Sequence, residues 1–398
     1  LPVTEARSQG KIAEAVVREL DSSRLIYHHS GARLGDVYTV NCYLNWLPNQ
    51  ERSDYLETWE AEGDMPLFLV EWGLPHVASW SSYRGPEFIW SCKAVQAAWI
   101  DEYNSMILGE EAYRPDAAKL AFLKTQEKML SGNTPVNFNA LGGNTVVPFL
   151  EDVQRVRALL LRDHVRNLRA RGISGLLPWD QSSFWRQTAA GKDRRETLTA
   201  DGVKRPGIVD EIMIARGGAL IDPLGRYELS TTGRALKECF REELGWIGGR
   251  PAEFTEKSHT FLPGETVEKS LVMLNDTRRS RKTAWRWRVR ALNLEQGGSV
   301  DIAPGERAIV AVKFSIPPDF AGTEFTLDAE FSSGCRDQLV IDVISRPEAP
   351  SPAEVGLFDP EGTAAPLLRA LGQPFRPVRS DAELAGVKRI VIGRNALE

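Results

Sequence analysis

Cysteine is scarce and scattered in this chain: Cys42, Cys92, Cys239 and Cys335 stand far apart, with no CxxC pair among them. That spacing excludes the common zinc-ligand patterns and a dense disulfide framework, and leaves the four as buried apolar fillers. Long apolar runs are missing too, none approaching the ~20 residues that cross a bilayer as a helix. Nor is there an excess of charge of either sign. Charged residues make up 26% of the 398 and the formal net charge is −5, a balance that attracts neither nucleic acid nor a membrane surface, so neither partner is expected. The opening LPVTEARSQG has neither the basic nor the apolar region of a signal peptide. A helical pattern, GKIAEAVVREL, begins at residue 10 with Ile12, Val16 and Leu20 on one face. The sequence reads as if it starts in the middle of a domain.

What is present falls into three textures, in keeping with a prior of roughly 150 residues per domain. Over residues 1–249 helical and β-prone runs alternate. The first helix gives way to Arg24 to His29, and Gly35-Asp36 then leads into Val37 to Tyr43, rich in β-branched and aromatic residues. Tyr55, Leu56 and Trp59 stand at helical spacing within 51–62. Next comes PLFLVEWGLP, in which Leu67 to Val70 run into a lone carboxylate, Glu71, closed by Trp72, Gly73 and Pro75. This reads as a buried parallel strand with an acid at its carboxyl end, where α/β enzymes keep their chemistry. Two helical patterns follow between Pro86 and Leu130, including Val95, Trp99 and Met106, then a turn-rich loop over 131–144. The clearest amphipathic helix spans 149–171, with Val153, Val156, Leu160, Val165 and Leu168 inward and seven arginines or histidines outward or toward its end. It stops at Gly172, and Ile173 to Pro178 is another apolar strand, ending at Trp179-Asp180. Such alternation argues for a parallel α/β barrel, of which about half the strands are visible.

The second texture consists of short alternating strands separated by turns, from Phe261 to Ile344. It predicts an immunoglobulin-like β-sandwich over 250–346, with Trp285, Trp287 and Val289 on its buried face. The third follows a proline-rich linker, Arg346 to Pro352. Val355 to Phe358, a helix through Ala370, and Val387 to Ile392 make the start of an open α/β domain over 347–398.

With these elements placed, the order of residues resembles the second half of the catalytic barrel of the β-galactosidase and β-glucuronidase type glycoside hydrolases, the retaining family 2 group. In that pattern Asp21-Ser22-Ser23-Arg24 enters the fifth strand, and Asp36-Val37 and Asn41-Cys42-Tyr43, with Trp46 beyond, form the sixth. Pro66 and Glu71-Trp72-Gly73 bound the seventh, and Trp179 ends the eighth. These enzymes commonly carry a sandwich after the barrel, and the third texture resembles the flavodoxin-like or glutamine-amidotransferase-like domain of some of their relatives.

The resemblance implies a partial (β/α)8 TIM barrel, strands five to eight, acting on a carbohydrate substrate without cofactor or metal. Glu71 would be the nucleophile that forms a glycosyl-enzyme intermediate. Tyr43 would donate a hydrogen bond to it, or simply be a buried strand aromatic; Asn41 shares a strand face with Tyr43. Trp179 would be a sugar platform or a packing residue. For His28 and His29 the readings are contacts to sugar hydroxyls or ordinary partly buried histidines, and for Asp36 and Asp180 strand-end caps. Retaining hydrolysis also needs a second carboxyl group roughly 5–5.5 Å from the nucleophile. The family places it in an Asn-Glu pair ending the fourth strand, and no such pair precedes Asp21; Glu5 and Glu14 follow no strand. The acid/base is therefore expected upstream of residue 1, and the chain is expected to be a piece of a longer glycosidase, truncated at both ends and without appreciable turnover of its own. The substrate would be a β-linked galactoside, glucuronide, mannoside or a polysaccharide of these, in a periplasmic or secreted setting. Two rivals from other classes are a carbohydrate-binding scaffold that does not cleave, and an interaction module built around the sandwich. Oligomeric state is left open.

Overall fold

The computed structural model describes residues 5–44, 47–73, 96–114, 116–121, 124, 150–179, 184–187, 194–197, 211–214, 227–345, 354–394 and 396. The fold is mixed α/β, built from several small sheets; among the described residues no sheet closes into a barrel.

Helix α1 (Glu5–Leu20) leads through a loop to β1 (Tyr38–Cys42), after which α2 (Asn49–Asp54) and α3 (Glu57–Glu62) connect to β2 (Leu67–Gly73). Helix α4 (Gln96–Leu108) and the long α5 (Glu151–Ala170) precede β3 (Gly175–Trp179). The three strands form one parallel sheet in the order β1-β2-β3. Helical crossovers dictate parallel pairing, and the helices cover one face of the sheet. Leu67, Leu69 and Trp72 of β2 and Cys42 of β1 share an apolar cluster with Val156, Leu160, Leu161, Val165 and Leu168 of α5.

The register holds a detail that strict alternation does not predict. Val40 pairs with Leu69 but the next residue, Asn41, pairs with Glu71, so that Val70 is an extra residue on β2; the β2–β3 ladder slips in the same stretch, between Leu69 and Trp72. Alternation by twos would put Glu71 on the face of Leu67 and Leu69, under the helices. The extra residue returns Trp72 to that face and turns Glu71 to the other.

Helix α5 ends as its sequence requires. Gly172 takes φ 80°, and Ile173 N donates to Leu168 O at 3.2 Å while Gly172 N donates to Arg169 O at 2.9 Å, a Schellman closure that only a glycine adopts cheaply. Its basic residues do not all point outward as expected. Arg157, His164 and Arg171 are buried, because α5 is covered on more than one side: by the sheet, by α6 (Thr231–Cys239), whose Thr232 N and Oγ1 donate to Gln154 Oε1, and by the sandwich.

One further expectation fails. The run Arg24 to His29 forms no strand; Tyr27 makes a single antiparallel bridge to Gly35 and Ile26 O accepts from Asp36 N at 2.8 Å, so the segment folds back on itself instead of joining the sheet. On α1, Ile12, Val16 and Leu20 do lie on one face, but that face is 66%, 51% and 82% exposed, with no described element packed over it.

The two-stranded antiparallel sheets β4 (Trp185–Gln187) with β7 (Tyr227–Leu229) and β5 (Arg194–Thr197) with β6 (Glu211–Ile214) precede α6. Then follows a two-sheet antiparallel sandwich. One sheet orders β13 (Glu306–Ser315), β10 (Thr266–Asn275) and β8 (Glu243–Gly248). The other orders β12 (Leu294–Ile302), β11 (Arg281–Val289), β14 (Glu324–Phe331), β15 (Arg336–Val343) and the short β9 (Thr260–Phe261), which pairs parallel to β15. Both sheets feed one core that includes Leu271, Met273, Trp287, Val289, Phe314 and Leu327. Trp285 is only partly buried; its ring covers Gly298, its cross-strand partner, where an added Cβ would come within 2.6 Å. The first strand of the sandwich, β8, lies ahead of residue 250, where the texture of the sequence changes.

The sandwich is bolted to α5 and its neighbours. Arg171 reaches Glu60 Oε2 at 2.8 Å and Asp54 Oδ1 at 3.3 Å, and its guanidinium lies 5.3 Å from the centre of the Phe254 ring. Arg307 of β13 pairs with the same Glu60 and donates to Ala170 O. Arg166 binds Asp337 at 3.2 Å and Lys257 binds Asp163 at 2.6 Å. The last unit is a parallel sheet β17 (Arg376–Pro377), β16 (Val355–Phe358), β18 (Arg389–Ile392) with one short helix, α7 (Ala365–Ala370). Cys42, Cys239 and Cys335 are buried, and burial pushes the Cys239 thiol up to about 11. Among the described residues no helix is long and apolar enough to cross a membrane, and no acidic, cysteine and histidine cluster could hold a metal ion.

Candidate active site

The carboxyl ends of β1 and β2 bring Asn41, Tyr43 and Glu71 together. Asn41 and Glu71 are cross-strand partners. Tyr43, just past the end of β1, donates its phenol to Glu71 Oε2. Its ring lies against Gly73, where an added Cβ would fall 2.2 Å from ring Cδ1. The glycine that closes the Glu-Trp-Gly run therefore has a steric reason: any side chain there would push the phenol off the carboxylate.

The second partner of Glu71 comes from the loop between α1 and β1. His29 Nε2 lies 3.1 Å from Glu71 Oε1. The loop is held on both sides. Asp36 Oδ2 accepts from Ile26 N at 2.7 Å and pairs with Arg18, and these bonds hold its carboxyl below the usual range. Thr39 Oγ1 of β1 accepts from Gly31 N at 2.8 Å and donates to His28 O, while the main chains of Ala32 and Thr39 bond to each other. Ser30 and Ala32 take φ of 53° and 54°, a left-handed conformation that costs a non-glycine residue roughly 1 kcal/mol each and persists only where surrounding bonds over-determine it.

That backbone separates the two histidines. His28 turns to α1, its Nε2 2.9 Å from Glu14 Oε1, and the same oxygen accepts from Gly35 N at 2.7 Å. Only His29 reaches Glu71. Asn41 N donates to Ser30 Oγ at 3.2 Å, and Asn41 Oδ1 is buried without a hydrogen-bond partner among the described residues. β3 places Trp179 next to Gly73 in the ladder; its side chain, like Trp46 and Asp180, lies outside the described residues. Asp36 fastens the loop and does not touch Glu71.

Glu71 is thus a carboxylate on the sheet face opposite the apolar cluster with α5, one oxygen bonded to a phenol and the other facing an imidazole. An anion so held is oriented to act as a nucleophile or a base. Among the described residues no second carboxyl group contacts it. Sequence reasoning did not find Thr39, Ser30 or Val70. The first had a signal, since it stands two positions before Asn41 and so on the same strand face; the others had none.

Neither a protein-family model nor a curated protein sequence matches the chain. Among solved structures, the CARDB domain of a Pyrococcus furiosus protein is similar at TM-score 0.21 and 10% identity, over 26% of this chain and 87% of that one. A β-glucosidase from Listeria innocua is similar at TM-score 0.21 and 10% identity, over 27% of this chain and 16% of the enzyme. A family 123 glycoside hydrolase from Clostridium perfringens is similar at TM-score 0.19 and 11% identity, over 29% and 30%. Glycoside hydrolases are among the chain's weak structural neighbours, at scores too low to assign it a family or an activity.

Proposed function

We propose that the chain carries the nucleophile half of a retaining β-glycoside hydrolase site of the β-galactosidase-like kind, with Glu71 as nucleophile acting on O-glycosyl bonds. One observation carries the reading: a tyrosine at the end of one parallel strand donates to a glutamate at the end of the next. Such a bond aims a carboxylate, as displacement at an anomeric carbon requires.

In this reading β1, β2 and β3 with their helices are a sector of a (β/α)8 barrel, strands six to eight. The sandwich is the immunoglobulin-like domain that follows, and residues from 354 begin a flavodoxin-like or glutamine-amidotransferase-like domain. A Glu71 oxygen bonds to the anomeric carbon as the bond to the aglycone oxygen breaks, and that oxygen takes its proton from a second carboxylic acid. The same group then deprotonates the water that releases the sugar. It lies beyond the residues that contact Glu71. Asn41, with its buried Oδ1, and His29 would meet sugar hydroxyls, and Trp179 would stack on the pyranose, while His28, turned to Glu14 of α1, would not.

The test uses dinitrophenyl 2-deoxy-2-fluoro-β-glycosides in the galacto, glucurono and manno series. Their leaving group needs no acid, so a glycosyl adduct should accumulate on Glu71, read by peptide mass spectrometry, wherever the acid/base resides. No adduct from any of them, or an adduct that persists in Glu71→Gln, overturns the proposal. A second reading, a carbohydrate-binding scaffold that does not cleave, is favoured by the absence of a second carboxyl group against Glu71 among the described residues. Glycan binding without any adduct decides for it.

A further inference from the structure

A carboxylate that attacks carbon must offer one open oxygen. At Glu71 both oxygens face a side chain, but the two covers differ in kind. Tyr43 continues a strand, and its ring rests on Gly73. His29 stands on the loop, 54% exposed against 19% for the Glu71 side chain. Among the described residues its ring has no other hydrogen-bond or ion-pair partner. Its backbone, by contrast, is flanked by the bonds of Thr39 to His28 O and Gly31 N and by the left-handed Ser30. The loop fixes where the side chain starts and leaves its ring free to leave, and an exposed rotamer change takes only picoseconds to nanoseconds.

We infer that His29 is a displaceable cap on Glu71 Oε1: its ring occupies the approach to the oxygen left over by Tyr43 and swings aside when an electrophile arrives. The contact defines Oε1 as the reacting oxygen and Oε2 as the held one, and makes His29 a positioning residue. The role in sugar chemistry rests on the proposed function of Glu71. The capping itself concerns only the reactivity of the carboxylate.

Amidation of the full chain by a water-soluble carbodiimide with glycine ethyl ester tests this without any sugar. The carboxylate oxygen adds to the carbodiimide carbon, and the amine then displaces a urea to leave an amide, located by peptide mass spectrometry. The exposed Glu57 serves as the reference carboxylate, and Glu60, paired with Arg171 and Arg307, reports that the unit remains folded. His29→Ala and His29→Asn, both too short to reach Oε1, should amidate Glu71 about fivefold faster than the wild type, the size of one net hydrogen bond of about 1 kcal/mol. His29→Gln, with an N–H of similar reach, should stay within about twofold of the wild type. Equal or slower Glu71 amidation in the two short variants, or a Gln variant as fast as they are, overturns the cap. Failure of the glycosidase reading would show as a missing sugar adduct while these amidation rates stood, so the two failures are distinguishable.

Discussion

Acid should destabilise the α/β unit through one residue, His164. Its ring is 4% exposed on α5, 6.0 Å from the Trp72 ring in an edge-on contact, with Nε2 3.2 Å from Asn49 Oδ1. Burial drives its pKa down from 6.5 to about 4, aided by the positive charges of Arg52 and Lys257 and opposed by Asp163. The folded value lies below the unfolded one, so the unfolded chain binds more protons between the two. Stability is whole above 6.5 and is lost as pH falls toward 4. Integrating the linkage from about pH 7.5 to about pH 4.5 gives a loss of about 2.5 kcal/mol from this group alone. Other carboxylates also titrate in that range, so the comparison is with His164→Gln, which keeps a hydrogen-bonding side chain for Asn49 but takes no proton. Urea unfolding followed by far-ultraviolet circular dichroism at both pH values should show the wild type losing about 2.5 kcal/mol more than the variant. pH dependences that agree within about 0.5 kcal/mol would refute the reasoning, because a neutral buried imidazole at position 164 requires the difference.

Two substitutions probe the site and the junction. Gly73→Ala places a methyl group against the Tyr43 ring; it should cost about 1–3 kcal/mol and slow formation of the glycosyl adduct on Glu71, and unchanged urea stability would contradict the steric account. Arg171→Ala removes the guanidinium that joins Asp54, Glu60 and the Phe254 ring. The expected loss is about 2–3 kcal/mol, below the usual cost of breaking a buried pair because Arg307 still holds Glu60; a loss under about 0.5 kcal/mol in urea unfolding would show the junction is held elsewhere.

Much of the fold is legible in periodicity. Buried strands announce themselves as apolar runs between helical patterns, and β11 shows its inward face as alternating Trp287 and Val289. Tyr43 and Glu71 are 28 residues apart and meet because each ends a strand of one parallel sheet. What periodicity misses has physical causes. A β-prone composition from Arg24 to His29 is overruled by Asp36 and Thr39, whose bonds favour a folded-back loop. Adjacent histidines look equivalent in sequence, and only the left-handed turn at Ser30 sends them to different partners. An amphipathic pattern tells which face of α1 is apolar but not whether anything covers it. Basic residues on α5 are read as solvated by default, yet Arg171 is the pin between two units.

The extra residue in β2 has a consequence for how this protein tolerates change. Whether Glu71 faces the site or the helices depends on the slip in pairing at Val70. Most exchanges of Phe68 or Val70 for other β-formers preserve that slip. Loss of Val70 itself would remove the extra residue and leave plain alternation with Glu71 still facing the site, whereas pairing Val70 in line, with no slip, would put the carboxylate under α5 and turn Trp72 outward. Along this strand the site depends on where the pairing slips, not on which β-former fills each position.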